Sequence, residues 1–168
     1  IQLHDTYYVI GHFHYVVAPG TLLALFGGVY YWYPKVTGRM MNERLGKLHF
    51  WFSFIFLNGV FMPMFIQGIA GVSRRLYAPT IYAHAQAVQG TNVFMSSCAW
   101  ALGLAQLIFI FNFFVSLKKG KRVTSDNPWE ATTLEWATPT PPPHGNFVTE
   151  PVVTRGPYEY SVPGHPTD

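Results

Sequence analysis

Three stretches without Asp, Glu, Lys or Arg divide the chain: Thr6 to Tyr33, Leu48 to Ile69, and Leu76 to Leu117. A helix needs about 20 apolar residues to cross the hydrocarbon layer of a bilayer. The first stretch predicts a span over 7–32 that ends in Tyr30, Tyr31, Trp32 and Tyr33, an aromatic belt of the membrane-interface type, with Pro34 breaking the helix behind it. The second predicts a span over 48–69 with a kink at Pro63. The third stretch is too long for one crossing. Its first part, 77–91, carries proline, glutamines, histidine and glycine and reads as a connector, which leaves 92–117 as the span. The expected fold is therefore all-α, a fragment of an integral membrane helical bundle. Residues 1–117 form its three-helix portion, and 118–168 form a basic, then irregular and proline-rich tail.

Composition sharpens this division. Only 11% of residues are charged, against about 25% in soluble domains. Nine of the 13 prolines lie after Leu117, where Pro139 and Pro141 to Pro143 favour extended polyproline-like backbone. The net charge of +3 is no argument for nucleic acid, because the basic residues cluster at the ends of apolar runs. Lys35, Arg39, Arg44 and Lys47 follow the first span, and Lys118, Lys119, Lys121 and Arg122 follow the third. Positive charge marks the cytoplasmic side. The tail is then cytoplasmic, while the amino end and the loop with Arg74 and Arg75 face outward. That arginine pair departs from the charge rule, so it either meets an anion or is an ordinary solvated pair. A single cysteine, Cys98, excludes an internal disulfide and reads as inert packing. The chain opens on Ile1 instead of Met, as expected of an internal piece or a truncated product.

Candidate chemistry centres on His12 and His14. Helical residues turn about 100° each, so positions i and i+2 point about 200° apart. The pair cannot chelate one ion from one helix; it offers an imidazole to each of two faces. Intramembrane ionisable residues are costly and mark functional sites. Either histidine alone could be a structural hydrogen-bonding group, but the pair suits axial ligation of two haem irons. His4 and Asp5 fall at the water boundary, where they could contribute to a hard-cation site. Asp5 could equally be a residue favoured by a helix N-terminus. Haems held by the two histidines with propionates outward would bring carboxylates to Arg74 and Arg75, whose guanidinium forks match them. His49 and His84 read as interfacial or hydrogen-bonded structural residues, and His144 and His165 carry no signal.

The run His4-Asp5-Thr6-Tyr7-Tyr8-Val9-Ile10-Gly11-His12-Phe13-His14-Tyr15-Val16 closely resembles the tenth transmembrane helix of subunit I in the haem–copper oxidase family. The similarity continues through Trp32-Tyr33-Pro34, Gly71-Val72-Ser73-Arg74-Arg75, Thr133-Leu134-Glu135-Trp136 and Pro141 to Pro143. The resemblance implies that His12 is the axial ligand of a high-spin haem and the catalytic residue. It implies that His14 is an axial ligand of a low-spin haem, Arg74 and Arg75 bind propionates, and His4 and Asp5 bind magnesium. Copper B is a further implied cofactor, with ligands outside this chain. The implied activity is respiratory reduction of oxygen to water with electrons from cytochrome c, coupled to proton pumping, in a membrane that is bacterial and cytoplasmic. A quinol-using oxidase, a nitric oxide reductase and a non-catalytic di-haem electron-transfer subunit are the alternatives; Asp5 leans toward the cytochrome c branch. Implied partners are the amino-terminal part of the same subunit, the copper-bearing electron-entry subunit, cytochrome c and lipid.

Overall fold

Thr6 opens the first helix: its Oγ1 accepts from Tyr8 N at 3.3 Å, satisfying one of the amides that a helix start leaves unpaired. In the computed structural model, which describes residues 2–153 and 156–160, three long helices carry the apolar stretches. They are α1, Tyr7–Thr37; α2, Glu43–Ile69; and α3, Gln89–Lys119. Each is long and apolar enough to cross a membrane. Short 3₁₀ turns, Pro79–Ile81 and Ala83–Val88, occupy the connector, and another, Leu134–Ala137, lies in the tail. Among the described residues no strand forms; only isolated bridges join Thr6 to Ser73 and Arg39 to Arg122. The all-α expectation holds. His165 and the rest of 161–168 lie outside the described residues.

Every helix exceeds the span read from charge alone. Pro34 does not end α1, which continues to Thr37. A proline removes one intrahelical N–H and costs stability, but it does not oblige the next residues to leave the helix. The terminator is Gly38, left-handed at φ 66, whose N–H donates to Pro34 O at 2.9 Å. Such a glycine is the usual residue one past a helix end. At the start of α2 the helix takes in Glu43, Arg44 and Lys47. Long basic side chains can lie along apolar surface with their charge in water, so charge-free length underestimates helix length.

The structure divides into two compact units. In the first, Ile1–Gly27 with Arg44–Phe111, polar groups tie α2 to α3. His49, 2% exposed, meets Gln106 Oε1 through Nε2 at 3.0 Å, and Gln106 Nε2 donates to Ser53 Oγ at 3.1 Å. Nearer the connector, Gln67 Nε2 donates to Thr91 Oγ1 at 2.5 Å and to Asn92 Oδ1 at 2.7 Å. Helix contacts of this kind contribute about 0.6 kcal/mol each, up to about 2. They also fix which face of α3 meets α2, since each leaves a buried polar group unpaired if the helix rotates. Large apolar side chains such as Val16, Leu25, Trp51, Ile55, Trp100 and Leu104 remain exposed, as expected for surfaces facing lipid or further helices.

The second unit comprises Gly28–Glu43 with Asn112–Asp168. Here the tail packs on the last turns of α1. Lys35 is 4% exposed and donates to Asp126 O at 3.0 Å, Thr138 O at 2.5 Å and Thr140 Oγ1 at 3.2 Å. Its ammonium also stands 5.4 Å from the ring centre of Trp136, a cation–π distance. Trp129 Nε1 donates to Tyr31 O at 2.8 Å. Asn112 holds the turn after α1 in both directions: Oδ1 accepts from Asn42 N, and Nδ2 donates to Asn42 O, each at 3.0 Å.

Candidate functional site

His12 and His14 both lie within the unbroken α1, so their angular separation is that of a regular helix, about 200°. His12 is exposed and His14 half-buried. The His14 Nδ1 stands 2.7 Å from Ile10 O, one turn earlier. A carbonyl only accepts, so this contact requires the proton on Nδ1 and leaves Nε2 with its lone pair. That is the tautomer a metal-ligating imidazole adopts when a second group orients it. Phe61 of α2 stacks on the ring, with centroids 5.0 Å apart and planes inclined by 19°.

The α1 surface toward α2 is built from Tyr8, Gly11 and Tyr15. A Cβ added at Gly68 would overlap the backbone of Tyr8, and one at Gly11 would come within 3.2 Å of the Met64 Cβ. Small residues bring the two backbones this close. Relative to that contact stripe, His12 lies about 70° to one side and His14 about 90° to the other. Close packing on α2 therefore leaves one imidazole on each flank.

At the amino end of α1, Asp5 stands between two cationic or imidazole partners. Its Oδ2 is 3.2 Å from His4 Nε2, and its Oδ1 is 2.7 Å from Arg74 Nε. Backbone bonds close the same junction: Arg74 N donates to Asp5 O at 2.8 Å, and Tyr7 N donates to Val72 O at 3.0 Å. Asp5 and Arg75 both adopt left-handed backbone, at φ 57 and φ 64. The structure thus brings His4, Asp5 and Arg74 into one cluster and leaves the Arg75 side chain exposed.

Sequence reasoning did not single out Asn58, Phe61 or Lys35. Asn58 Oδ1 accepts from Tyr15 OH at 2.7 Å, beside His14. An asparagine inside an uncharged helix was the available signal. Lys35 counts by charge with the basic residues of a loop, whereas it lies in the last turn of α1 as a buried cation. His49 is buried and hydrogen-bonded, as its structural reading expected, and His84 is exposed. Among the described residues no three His, Cys, Asp or Glu side chains gather as a metal-binding group.

Three membrane-length helices, the first with an imidazole on each flank, define an integral membrane protein. The comparisons with known proteins agree. The sequence model of the family described as "Cytochrome C and Quinol oxidase polypeptide I" matches residues 1–101, and the chain belongs to that family. It is 47% identical over 162 residues to cytochrome c oxidase subunit 1 of a Synechocystis species, covering 96% of this chain and 28% of that protein. It is 44% identical over 171 residues to an alternative cytochrome c oxidase subunit 1 of Bradyrhizobium diazoefficiens, covering 100% of this chain and 29% of the relative. The corresponding subunit of Thermostichus vulcanus is 42% identical over 164 residues, covering 96% and 28%. The chain thus spans under a third of the length of these relatives. Membership in this family implies haem and copper cofactors in general, the remainder of the subunit, and a membrane environment.

Proposed function

We propose that the chain supplies one side of two haem sites in the oxygen-reducing subunit of a respiratory terminal oxidase. His12 would hold the high-spin haem and serve at the catalytic centre, and His14 would hold the low-spin haem. The two haems supply electron transfer and oxygen reduction together with copper B, whose ligands lie outside this chain. Electrons come from cytochrome c through a copper-bearing subunit, and oxygen reduction to water is coupled to proton pumping. Asp5 and the names of the relatives favour cytochrome c over quinol as donor.

The observation that carries this reading is the His14 Nδ1 contact with Ile10 O, which calls for the proton on Nδ1 and leaves the Nε2 lone pair for a metal. His12, about 200° away on the same helix, faces separate surroundings, so the two imidazoles serve two centres. Arg74 and Arg75 are the proposed propionate contacts, and His4 with Asp5 the proposed magnesium ligands. The amino end of α1 then faces outward, and the 118–168 tail lies on the cytoplasmic face of a bacterial plasma membrane.

The test is replacement of His14 by Ala in the complete subunit, followed by optical spectra of the purified enzyme. Loss of the low-spin haem band with the high-spin centre retained is the expected result. A normal low-spin band would sink the assignment. A spectrum with two low-spin haems and no high-spin centre in the unmodified enzyme would instead indicate a di-haem electron-transfer subunit.

A further inference from the structure

We propose that Asn58 and Phe61 of α2 are positioning residues that set the plane of the His14 imidazole. The inference rests on His14 being an axial haem ligand. Asn58 Nδ2 donates to Phe54 O at 2.8 Å, on its own helix. That bond fixes the amide orientation, so Oδ1 is the atom turned toward α1, where it accepts from Tyr15 OH at 2.7 Å. Tyr15 directly follows His14, so its hydroxyl bond acts as a stop on rotation of α1 about its axis.

Phe61 lies one turn further along α2 and works on the ring itself. It stacks on His14 at 5.0 Å and 19°, and meets the Tyr15 ring edge-on at 6.2 Å and 65°. Phe65 stacks on the Tyr15 ring at 5.7 Å and 29°. The His14 imidazole is therefore restrained three ways. Nδ1 is anchored to Ile10 O, one ring face is covered by Phe61, and the helix is rotationally pinned by Asn58 through Tyr15. A helix rotation of about 10° would move a side-chain atom about 1 Å, given a helix radius of about 5–6 Å with side chains. That displacement is enough to alter metal–ligand geometry. His12 lies about 200° from His14 around the helix, so the device is aimed at one site.

The orientation of an axial imidazole tunes the electronic structure of a low-spin iron, a second-shell effect that spectra read directly. The experiment uses the complete, haem-loaded enzyme carrying Tyr15→Phe, Asn58→Leu, both together, Phe61→Leu or Phe61→Tyr. Haem content is measured by pyridine haemochrome and the low-spin centre by EPR. Tyr15→Phe and Asn58→Leu are each expected to shift the largest g value of the low-spin haem. The double variant should shift it no further than the larger single change, since both remove the same bond. Phe61→Leu should also shift it, Phe61→Tyr should restore it, and the high-spin signal should stay in place throughout. Unchanged g values in the single variants, with both haems present, overturn the proposal and leave His14 as the ligand. A low-spin haem that survives His14→Ala removes the reading beneath it instead. If Asn58→Leu does not assemble, Tyr15→Phe carries the test, because it deletes one oxygen and keeps the ring.

Discussion

Arg74 and Asp5 are joined twice, through Nε to Oδ1 at 2.7 Å and through Arg74 N to Asp5 O at 2.8 Å. The first link is electrostatic and the second is a backbone bond, so changing the carboxylate alone need not open the junction. Asp5→Asn therefore keeps the amino end of α1 in place while removing one negative charge. Oxidised haem carries one more positive charge than reduced haem, so losing a nearby carboxylate disfavours the oxidised state. The expected outcome in the intact enzyme is a raised midpoint potential, read by redox titration, together with weaker Mn²⁺ binding in place of magnesium, read by EPR. An unchanged potential and unchanged Mn²⁺ affinity would place Asp5 outside both sites.

Gly68 allows α1 to lie directly on α2, since a Cβ there would overlap the backbone of Tyr8. Gly68→Ala must push the helices apart, and forced overpacking costs about 1–3 kcal/mol. Thermal inactivation of the variant enzyme should occur at a lower temperature. Gly103 lies within α3 with nothing near its missing Cβ, so Gly103→Ala should be neutral or slightly stabilising, by up to about 1 kcal/mol.

Lys35 concentrates three hydrogen bonds from the tail on one ammonium. Lys35→Met preserves length and removes the donor, leaving carbonyls of Asp126 and Thr138 without it. Hydrogen bonds to a charged group contribute about 1.5–3 kcal/mol each, so the tail should loosen markedly. Trypsin cleavage at Lys121 and Arg122 is expected to accelerate by roughly tenfold or more, one decade per about 1.4 kcal/mol. Equal cleavage rates would show that Trp136 and its surroundings hold the tail without the cation.

In the proposed reading each imidazole of α1 supplies one haem ligand, and no cluster of three metal-binding side chains forms among the described residues. The purified 168-residue chain is accordingly expected to consume no oxygen. Oxygen uptake by that chain, measured with a Clark electrode after haem addition, would falsify the half-site reading. Restored uptake on co-expression with the remainder of the subunit would support it.

Much of the architecture was legible in the residues. The three charge-free runs located all three helices, although the connector read over 77–91 gives way to α3 already at Gln89. Errors fell at helix ends, where Pro34 was given more power than Gly38. A missing N–H weakens a helix locally, whereas a left-handed residue turns the chain out of it. In the fold Asp5 takes Arg74 and leaves Arg75 exposed, and adjacency gives no hint of that choice.

The sequence by itself determined the membrane-length helices and the opposed directions of His12 and His14, because both follow from local quantities: apolar length and about 100° of turn per residue. Tertiary structure decided which groups restrain the His14 imidazole, which carboxylate engages Arg74, and that Lys35 is buried. These depend on residues such as Asn58, Phe61 and Thr138, far along the chain from their partners. No periodic pattern links them. Only the packing of one helix or tail segment on another brings their atoms within reach.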